Sequence, residues 1–381
     1  MRFLARFAIA AALCPAAPAL YAQGALSLQG FGYPGGELST RALGSGGSLA
    51  DFDANSPINP AALLVGTRAT VYVQYDPEFR LVSGPGTNAH TVTARFPLFF
   101  ISGRMGQARF SLSYANYLDR TWTNTYQDTE SVGTQRVPSI VTAVSSGGIT
   151  DVRGAMSYTF SDRLTLGVGV HLFPGENRIL FGRSFPADTT SFGALAQTNT
   201  FNYSGSAVTF GVVATPIDHF NFGLSARYGF SMHVHRGDST TLGAARVPSR
   251  FSLSASYDGI PGTILSARYG AEQWSAMRGL GTAGLSVFDA NEIATGLETS
   301  GPRMGVVPMA VRLGYRARQL PFGVGPRQVS EREFNAGVGI PVSSGRAALD
   351  LSVAHAQRSA ASVGLSETGW IISIGIAIKP Y

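Results

Sequence analysis

The feature that most constrains this chain is a two-residue alternation of apolar with polar or small side chains, which recurs from about residue 68 to the C-terminus. Between residues 220 and 230, aromatic residues, Leu and Ala fill the even positions, whereas Asn, Gly, Ser and Arg fill the odd ones. Successive side chains of a β-strand point to opposite faces, so each such segment predicts a strand with one apolar face. The chain has no run of 18 apolar residues, which excludes a bundle of transmembrane helices.

About fourteen segments alternate in this way, and many reach the roughly 9–11 residues that a tilted membrane-spanning strand needs. They cover approximately residues 68–75, 89–101, 107–118, 148–160, 163–173, 201–214, 219–236, 247–258, 262–271, 291–299, 306–317, 331–340, 346–356 and 367–379. Short turns such as 161–163 and 343–345 join some of them, and the longer polar stretches 119–147, 174–200 and 272–290 are expected to form loops. Short turns at one end and long loops at the other are typical of membrane β-barrels.

The composition agrees with a barrel of this kind. Charged residues make up 14% of the chain, against about 25% in soluble domains, and 46 of the 381 residues are Gly. A soluble β-sandwich also alternates, but its strands average about 5–6 residues, and its exposed face would carry Lys and Glu rather than Gly, Ser and Arg. We therefore predict an all-β protein, a transmembrane antiparallel β-barrel of about 14 strands.

The first 22 residues are typical of a secretory signal peptide rather than of a folded domain. Arg2 and Arg6 supply the positive start, residues 7–13 the short apolar core, and Ala22 the small residue before cleavage. The single cysteine, Cys14, would leave with this segment, so the mature chain is expected to contain no disulfide. Export and a barrel together predict the outer membrane of a Gram-negative-type cell. The predicted domains are a signal peptide at 1–22, an N-terminal plug or hatch at 23–66 and a barrel at 67–381.

The segment 48–63, with the sequence SLADFDANSPINPAAL, carries a recognisable motif. It resembles the hatch segment of the FadL-like outer-membrane transporters of long-chain fatty acids and aromatic hydrocarbons, in which an Asn-Pro-Ala element precedes the first barrel strand. The C-terminal half is similar to that family in the order of Val247-Pro248-Ser249-Arg250, Gln273-Trp274-Ser275 and the stretch 310–315. In the fatty-acid transporters the third strand is kinked beside a lateral opening, whereas 108–118 contains neither Gly nor Pro.

The resemblance implies a channel for the passive uptake of hydrophobic small molecules, gated by an N-terminal plug, with neither a cofactor nor an enzymatic activity. Its expected partners are a hydrophobic ligand, outer-membrane lipid and lipopolysaccharide, and the barrel-assembly machinery during biogenesis, but not nucleic acid. Three alternatives stay open on the sequence: a polar-solute porin, a secretion-associated barrel that carries cargo protein, and a structural barrel.

Asn59, Pro60 and Ala61 form the motif expected in the plug. Asn is a strong helix N-cap and Pro suits the first helical position, so the motif predicts a helical turn. The lumen of a fourteen-strand barrel is too wide for the side chains of its wall to fill, and the non-alternating segment 23–66 would close it. The alternative is a plain connector into the first strand.

Charged residues on the polar faces are the candidate ligand-binding or plug-anchoring residues. A guanidinium binds a carboxylate through two parallel hydrogen bonds, so inward arginines would hold either the acids of the plug or the carboxylate of a ligand. By alternation, the inward set is Arg153, Arg227, Arg250, Arg268, Arg312, Arg316, Glu272, Glu298 and Asp350.

No catalytic or metal site is predicted. Two matches to GxGxxG, at 30–35 and 279–284, lack the strand–turn–helix context of dinucleotide binding, and no GxSxG, HExxH or Cys pair occurs. His233 and His235 share a strand face, but two ligands are too few for a structural metal site. They lie near a strand end, so they are expected to be polar rim or loop residues. A lipase built on a barrel would need a Ser-His-acid set that faces lipid, but the alternation places the histidines in the lumen or in loops. The six histidines are His90, His171, His219, His233, His235 and His355.

Overall fold

The computed structural model describes residues 31–65, 69–84, 87–132, 135–185, 193–238, 240–280, 286–304, 307–324, 326–342, 345–360 and 365–379. The predicted signal peptide lies outside these residues. Their helical elements are α1 (Thr40–Gly44) and two 3₁₀ helices, Pro60–Val65 and Trp274–Leu280. None of the helices in this part of the chain is long and apolar enough to cross a membrane.

The described residues form nineteen β-segments, most of them at least ten residues long. They are β1 (Tyr33–Pro34), β2 (Thr70–Gly84), β3 (Thr87–Arg95), β4 (Leu98–Met105), β5 (Ala108–Asp119), β6 (Trp122–Val132), β7 (Gln135–Ser161), β8 (Leu164–Leu172), β9 (Gly175–Ser184), β10 (Leu195–Ile217), β11 (Phe220–Arg236), β12 (Thr241–Arg246), β13 (Arg250–Ile260), β14 (Thr263–Glu272), β15 (Ala290–Met304), β16 (Val307–Val324), β17 (Arg327–Val342), β18 (Ala347–Ala360) and β19 (Leu365–Ile378).

These segments form one antiparallel sheet that closes on itself, because β19 pairs with β2. The segment β1 joins the sheet only through a two-residue pairing with β5. Four barrel strands are interrupted, so each consists of two segments: β3 with β4, β5 with β6, β8 with β9, and β12 with β13. The described segments thus make a closed barrel of fourteen strands, which confirms the predicted fold class and strand number.

The two ends of the barrel differ in their connections. Tight turns at 106–107, 162–163, 218–219 and 261–262 lie at the end where β2 begins and β19 ends, which we name the turn end. The opposite end, which we name the loop end, carries the long connection 273–289 and its 3₁₀ helix.

The outward face of the barrel is apolar, as the alternation predicts. Phe222 is 41% and Leu224 37% exposed, whereas the next residue, Ser225, points inward and is 1% exposed. Large apolar side chains are exposed on strands all around the barrel, among them Phe99, Phe110, Phe210, Phe251, Ile293, Phe334 and Trp370. Such a surface is suited to lipid rather than to water.

Two of the predicted loops are instead strands. The described residues of 119–147 lie mainly in β6 and the first half of β7, and those of 174–200 lie mainly in β9 and the start of β10. These segments pair with one another, β6 with β7, β7 with β9 and β9 with β10, so their backbone groups are satisfied within the sheet. Their Thr and Val residues favour strands even though neither face is consistently apolar.

The alternation changes phase in β11 between Phe230 and Ser231, which are both exposed. At this level the neighbour of β11 changes from β13 to β12, and its pairing with β10 shifts register between Gly205 and Ala207. Met232 and Val234, which the alternation groups with the outward face, are therefore buried in the lumen.

The orientation predicted for the histidines is wrong for His90 and His355. His233 follows the phase change and is exposed, and His90 is exposed on β3. His355 alternates with the buried Ala354 and Ala356, and its ring lies 4.6 Å from the ring of the exposed Trp370. His171, in contrast, is fully buried in the lumen between Asp151 and Thr209.

Candidate functional site

Residues 31–65, named here the N-terminal segment, lie in the lumen and contact the wall on several sides. Its β1 pairs with β5, and α1 contacts β16, β17, β18 and β19. The 3₁₀ helix Pro60–Val65 contacts β5, β7, β8 and β10. Most side chains of the segment are buried, so it fills much of the barrel's cross-section.

Glycines on the inward face of the wall let the backbone of the N-terminal segment approach. A Cβ atom on Gly211 would lie 2.0 Å from Oδ1 of Asn59, and one on Gly314 would lie 2.1 Å from the carbonyl carbon of Ser45. Because glycine has no side chain, the backbone of the N-terminal segment occupies the space that a wall side chain would otherwise fill. Contacts that a Cβ would make within 2.9 Å recur at Gly167, Gly223, Gly296 and Gly337.

Asp51 is the most completely bonded contact between the N-terminal segment and the wall. Its carboxylate is fully buried and accepts hydrogen bonds from the hydroxyls of Ser252 at 2.8 and 2.9 Å and Ser254 at 2.6 Å. Ser225 donates at 3.2 Å, and Nε of Arg268 donates at 3.0 Å. These donors belong to β11, β13 and β14, so the carboxylate fixes the segment to three adjacent strands.

The Asn59-Pro60-Ala61 motif makes a short 3₁₀ helix. Oδ1 of Asn59 accepts from the backbone N–H of Ala61 at 2.9 Å, which is a capping contact of the predicted kind. Its amide nitrogen donates to the carbonyls of Asp51 at 3.2 Å and Val212 at 3.1 Å. Asn59 thus joins the helix start both to the segment itself and to β10.

A second ion-pair group holds α1. Arg41 donates to Glu298 through Nε at 2.9 Å and a terminal nitrogen at 2.6 Å. Arg312 bridges the same Glu298, at 2.5 Å, to Asp350, at 2.6 Å. Burial would lower the pKa of the Arg41 guanidinium, but Glu298 and Asp53 outweigh it and raise that pKa above its usual value. Arg41 therefore stays charged.

The third group surrounds Glu37, which the sequence analysis did not select. Arg227 donates to its carboxylate at 2.8 Å, Arg250 also pairs with it, and Arg227 reaches Glu272 at 3.0 Å. Burial alone would raise the pKa of the Glu37 carboxyl, but the guanidiniums of Arg250 and Arg227 outweigh it and hold the pKa well below its usual range. The carboxylate is therefore charged in the folded protein.

All of the predicted inward arginines lie in the lumen and contact partners there, but not in one cluster. Arg153 donates to the carbonyl of Pro57 in the N-terminal segment. Arg268 contacts Glu292 as well as Asp51, and Arg316 contacts Glu292 at 2.7 Å through Nε. The arrangement is a set of Arg–acid groups distributed around the N-terminal segment.

Toward the loop end, the lumen contains a buried aromatic cluster formed by Phe31, Tyr117, Phe173 and Trp274. The Tyr117 ring stacks on Trp274 with centroids 5.2 Å apart and lies 4.7 Å from Phe173. Phe31 meets Trp274 edge-on at 5.9 Å. Trp274 comes from the 3₁₀ helix of the long connection, so this loop folds back into the barrel.

The alternation pattern could not reveal this cluster. Phe173 lies at the interruption between β8 and β9, before Pro174, and Trp274 lies outside any strand. Met232 and Val234, which belong to the same apolar group, turn inward only because of the phase change in β11. The available signal was the set of prolines that break alternating segments, Pro97, Pro174 and Pro248.

Residues 33–38 cross the lumen beside this cluster and separate two cavities. The cavity of about 90 Å³ lies between Glu37, Tyr117, Arg250 and Trp274, and one of about 60 Å³ lies on the side of Tyr33, Glu78 and Arg95. Gly35 donates its backbone N–H to the carbonyl of Tyr117 at 3.0 Å, which holds the crossing against β5.

Tyr33 fixes the start of the crossing. Its hydroxyl donates to Glu331 at 2.7 Å and accepts from Arg318 at 2.7 Å and Arg358 at 2.8 Å. Burial raises the pKa of this hydroxyl to about 12, although Arg318 and Arg358 oppose the shift. The ring lies 4.8–5.5 Å from the guanidinium carbons of Arg80, Arg95, Arg318 and Arg358.

The wall is open between the second and third barrel strands. The two strands are interrupted at Phe96-Pro97 and Arg120-Thr121. On the loop-end side of these interruptions, β3 pairs only with β2 and β6 only with β7 among the described residues, so β3 and β6 do not pair with each other. A cavity of about 410 Å³ lies there, lined by Phe96, Tyr114 and Asn116 among others. The third strand is thus interrupted just after the stretch 108–118, although that stretch contains neither Gly nor Pro.

Comparison with solved structures decides the fold family. A Pseudomonas aeruginosa FadL homologue matches with a TM-score of 0.60 at 14% identity, covering 92% of this chain and 99% of that one. The chain has the FadL-like fold. The CymD monoaromatic hydrocarbon channel matches at 0.56 and 11%, over 94% and 99% of the two chains. The P. putida toluene transporter TodX matches at 0.54 and 13%, over 95% and 99%.

The likeness to FadL-like barrels is therefore one of structure. No protein-family model matches the sequence, and no curated protein is significantly similar to it. The three matches cover 92–95% of this chain and 99% of each neighbour.

Glu37 offers a pH-dependent test of the crossing. Glu37→Gln leaves Arg227 and Arg250 with Glu272 alone, and removing one partner of a buried pair costs about 3–5 kcal/mol. We expect higher ion conductance than wild type in planar bilayers at pH 7. Because the pKa of Glu37 is lowered, its contribution is complete above the ordinary Glu pKa of about 4.3 and is lost only as pH falls through the lower folded value.

The difference between the two proteins should therefore persist at pH 5 and shrink only under stronger acid. Asn55→Ala, in the same segment but without a side-chain hydrogen bond to the wall among the described residues, serves as the control. Equal conductance of Glu37→Gln and wild type at pH 7 would contradict the role given to this carboxylate.

Proposed function

We propose that this chain forms an outer-membrane channel for the passive uptake of hydrophobic small molecules, with residues 23–66 as its plug. The observation that carries the proposal is the layered lumen, in which an aromatic cluster lies toward the loop end and a segment held by ion pairs lies below it. The cluster would receive an apolar molecule, and the segment would exclude water and ions until it moves.

The charges of the lumen favour an uncharged ligand at its centre. Arg227, Arg250, Arg268, Arg312 and Arg316 each contact a protein carboxylate. A ligand carboxylate would have to displace one of these acids and leave it buried without its partner, which costs several kcal/mol. We therefore propose that these arginines, with Glu298 and Asp350, anchor the plug rather than bind the ligand.

The opening between β3 and β6 would supply the exit. Its lining includes Phe96, which is 71% exposed, and Tyr114, so an apolar molecule could leave sideways into lipid without crossing water. The apolar outward face would contact outer-membrane lipid and lipopolysaccharide, and the short turns would face the periplasm. A signal peptide at 1–22 would direct export, and the barrel-assembly machinery would insert the chain. The proposal includes no catalytic step.

The test combines conductance with uptake. In planar bilayers the intact protein is expected to conduct ions poorly, while proteoliposomes should take up toluene faster than protein-free vesicles. Trp274→Ala removes the ring that stacks on Tyr117 and closes the aromatic cluster, and we expect toluene uptake to fall about fivefold, since such a contact is worth roughly 1 kcal/mol.

Trp370→Ala is the matched control, because Trp370 is exposed on the outward face. Open-pore conductance with rapid uptake of a small sugar would replace the proposal by a polar-solute porin. Co-purification of one secreted protein, without toluene uptake, would favour a cargo-carrying barrel.

A further inference from the structure

Arg109 differs from the other inward arginines of the barrel. It lies on β5 near the turn end and is 7% exposed, and its Nε is buried without a hydrogen-bond partner. Its side chain forms no ion pair with the residues that the structure describes. Arg227, Arg268 and Arg312, by contrast, each contact at least one carboxylate. Burying a cation without a partner costs free energy. The groups around Arg109 therefore indicate which kind of ligand could compensate its charge.

Those surroundings supply further unused donors. Ser157 lies directly opposite Arg109 on β7, and Ser111 and Ser113 follow it along the inward face of β5. The hydroxyls of all three serines are buried and have no hydrogen-bond partner among the described residues. One guanidinium and three hydroxyls therefore line adjacent positions on two strands.

No Asp or Glu among the described residues forms an ion pair with Arg109. The residue opposite Arg109 on the other side is Arg104 of β4, which donates only to the carbonyl of Gly106. Like charges directly opposite each other in a sheet are destabilising. The inward positions of β4, of β5 up to Ala115 and of β7 from Arg153 to Ser157 include no Asp or Glu, and the neighbouring 3₁₀ helix reads PAALLV.

We propose that Arg109, with Ser111, Ser113 and Ser157, binds an anion through carboxylate or phosphate oxygens at the turn end of the lumen. A guanidinium presents a planar fork of donors to such oxygens, and hydroxyls complete their coordination. The bound anion would also neutralise the Arg104–Arg109 pair. This site is separate from the Arg–acid groups of the plug and does not depend on which molecule the channel transports.

The test is calorimetric titration of the full-length protein in detergent, with chloride as the background salt. Sodium acetate and inorganic phosphate are the two probes, and a saturable heat with either supports the site and identifies which oxygens it prefers. Arg109→Gln should weaken binding about ten- to hundredfold, because a hydrogen bond to a charged group contributes about 1.5–3 kcal/mol. Ser157→Ala should weaken it several-fold.

Arg163→Gln is the matched control, since Arg163 lies at the same end but is exposed and pairs with Asp218. Arg109→Gln without added anion should be at least as heat-resistant as wild type, because it removes an unpaired cation; a merely structural arginine would give the opposite result. If Arg109→Gln fails to assemble, the pair Ser111→Ala with Ser157→Ala carries the test. Absence of saturable binding, or equal binding by wild type and the variants, would overturn the proposal.

Discussion

Replacing Asp51 by Leu is expected to turn a poorly conducting barrel into a leaky one without unfolding it. The change removes the acceptor shared by Ser225, Ser252, Ser254 and Arg268, and it leaves the Arg268 guanidinium with Glu292 alone. Breaking a buried charge contact costs about 3–5 kcal/mol, so the fraction of molecules with an undocked segment should rise by about two to four orders of magnitude.

The measurement is single-channel conductance in planar bilayers, read beside the heat-modifiable migration of the same sample on a gel. The migration should not change, because the wall strands keep their backbone pairing. Asp218→Asn is a suitable control, since Asp218 lies in an exposed turn. If Asp51→Leu remains as closed as wild type, Asp51 does not anchor the segment and the plug proposal loses its best-bonded contact.

The parts of this structure that follow from local chemistry could be predicted from the sequence. Strand pleating alone decides which face a side chain takes, so Arg227, Arg268 and Arg312 were assigned to the lumen correctly. The same rule failed at Met232, where a change of neighbouring strand reverses the alternation. Such a change depends on residues far away in the chain, and alternation within one segment does not contain it.

The ion-pair partners of the inward charged residues could not be predicted from the sequence either. Glu37 joins Arg227 and Arg250 across about two hundred residues of chain, and nothing local to Glu37 indicates this. Asp51 was visible only as one residue of the hatch-like segment 48–63, although it makes the largest set of hydrogen bonds to the wall. The sequence analysis could therefore name one side of the Arg–acid groups, but pairing them required the closed barrel.

Glycine composition carried more information than the alternation alone suggested. A high Gly content is compatible with any barrel, but six glycines lie where the N-terminal segment meets the wall, namely Gly167, Gly211, Gly223, Gly296, Gly314 and Gly337. Gly314 and Gly296 are cross-strand neighbours, and a Cβ on either would overlap Ser45 or Ser48. Glycine on the polar face of a predicted barrel strand is thus a signal for a segment packed inside.

This reasoning gives an expected result for Gly314→Val. A Cβ at residue 314 would lie 2.1 Å from the carbonyl carbon of Ser45 and 2.3 Å from the nitrogen of Gly46, and main-chain atoms cannot yield as the end of a flexible side chain can. The wall strand β16 is held by its neighbours β15 and β17, whereas the segment is held by side-chain contacts, so the segment should give way. We expect ion conductance close to that of a barrel lacking residues 26–60, with unchanged migration on gels.

Gly154→Val separates this effect from the general cost of valine in place of glycine. Gly154 lies on β7 with an outward Cβ direction and no atom within 4 Å of it, so the added side chain would meet only lipid. Its conductance should equal that of wild type. Similar leakage from both variants would mean that the barrel itself had been damaged, whereas closed channels in both would mean that Ser45 and Gly46 move aside and that the fit between segment and wall is looser than the structure implies.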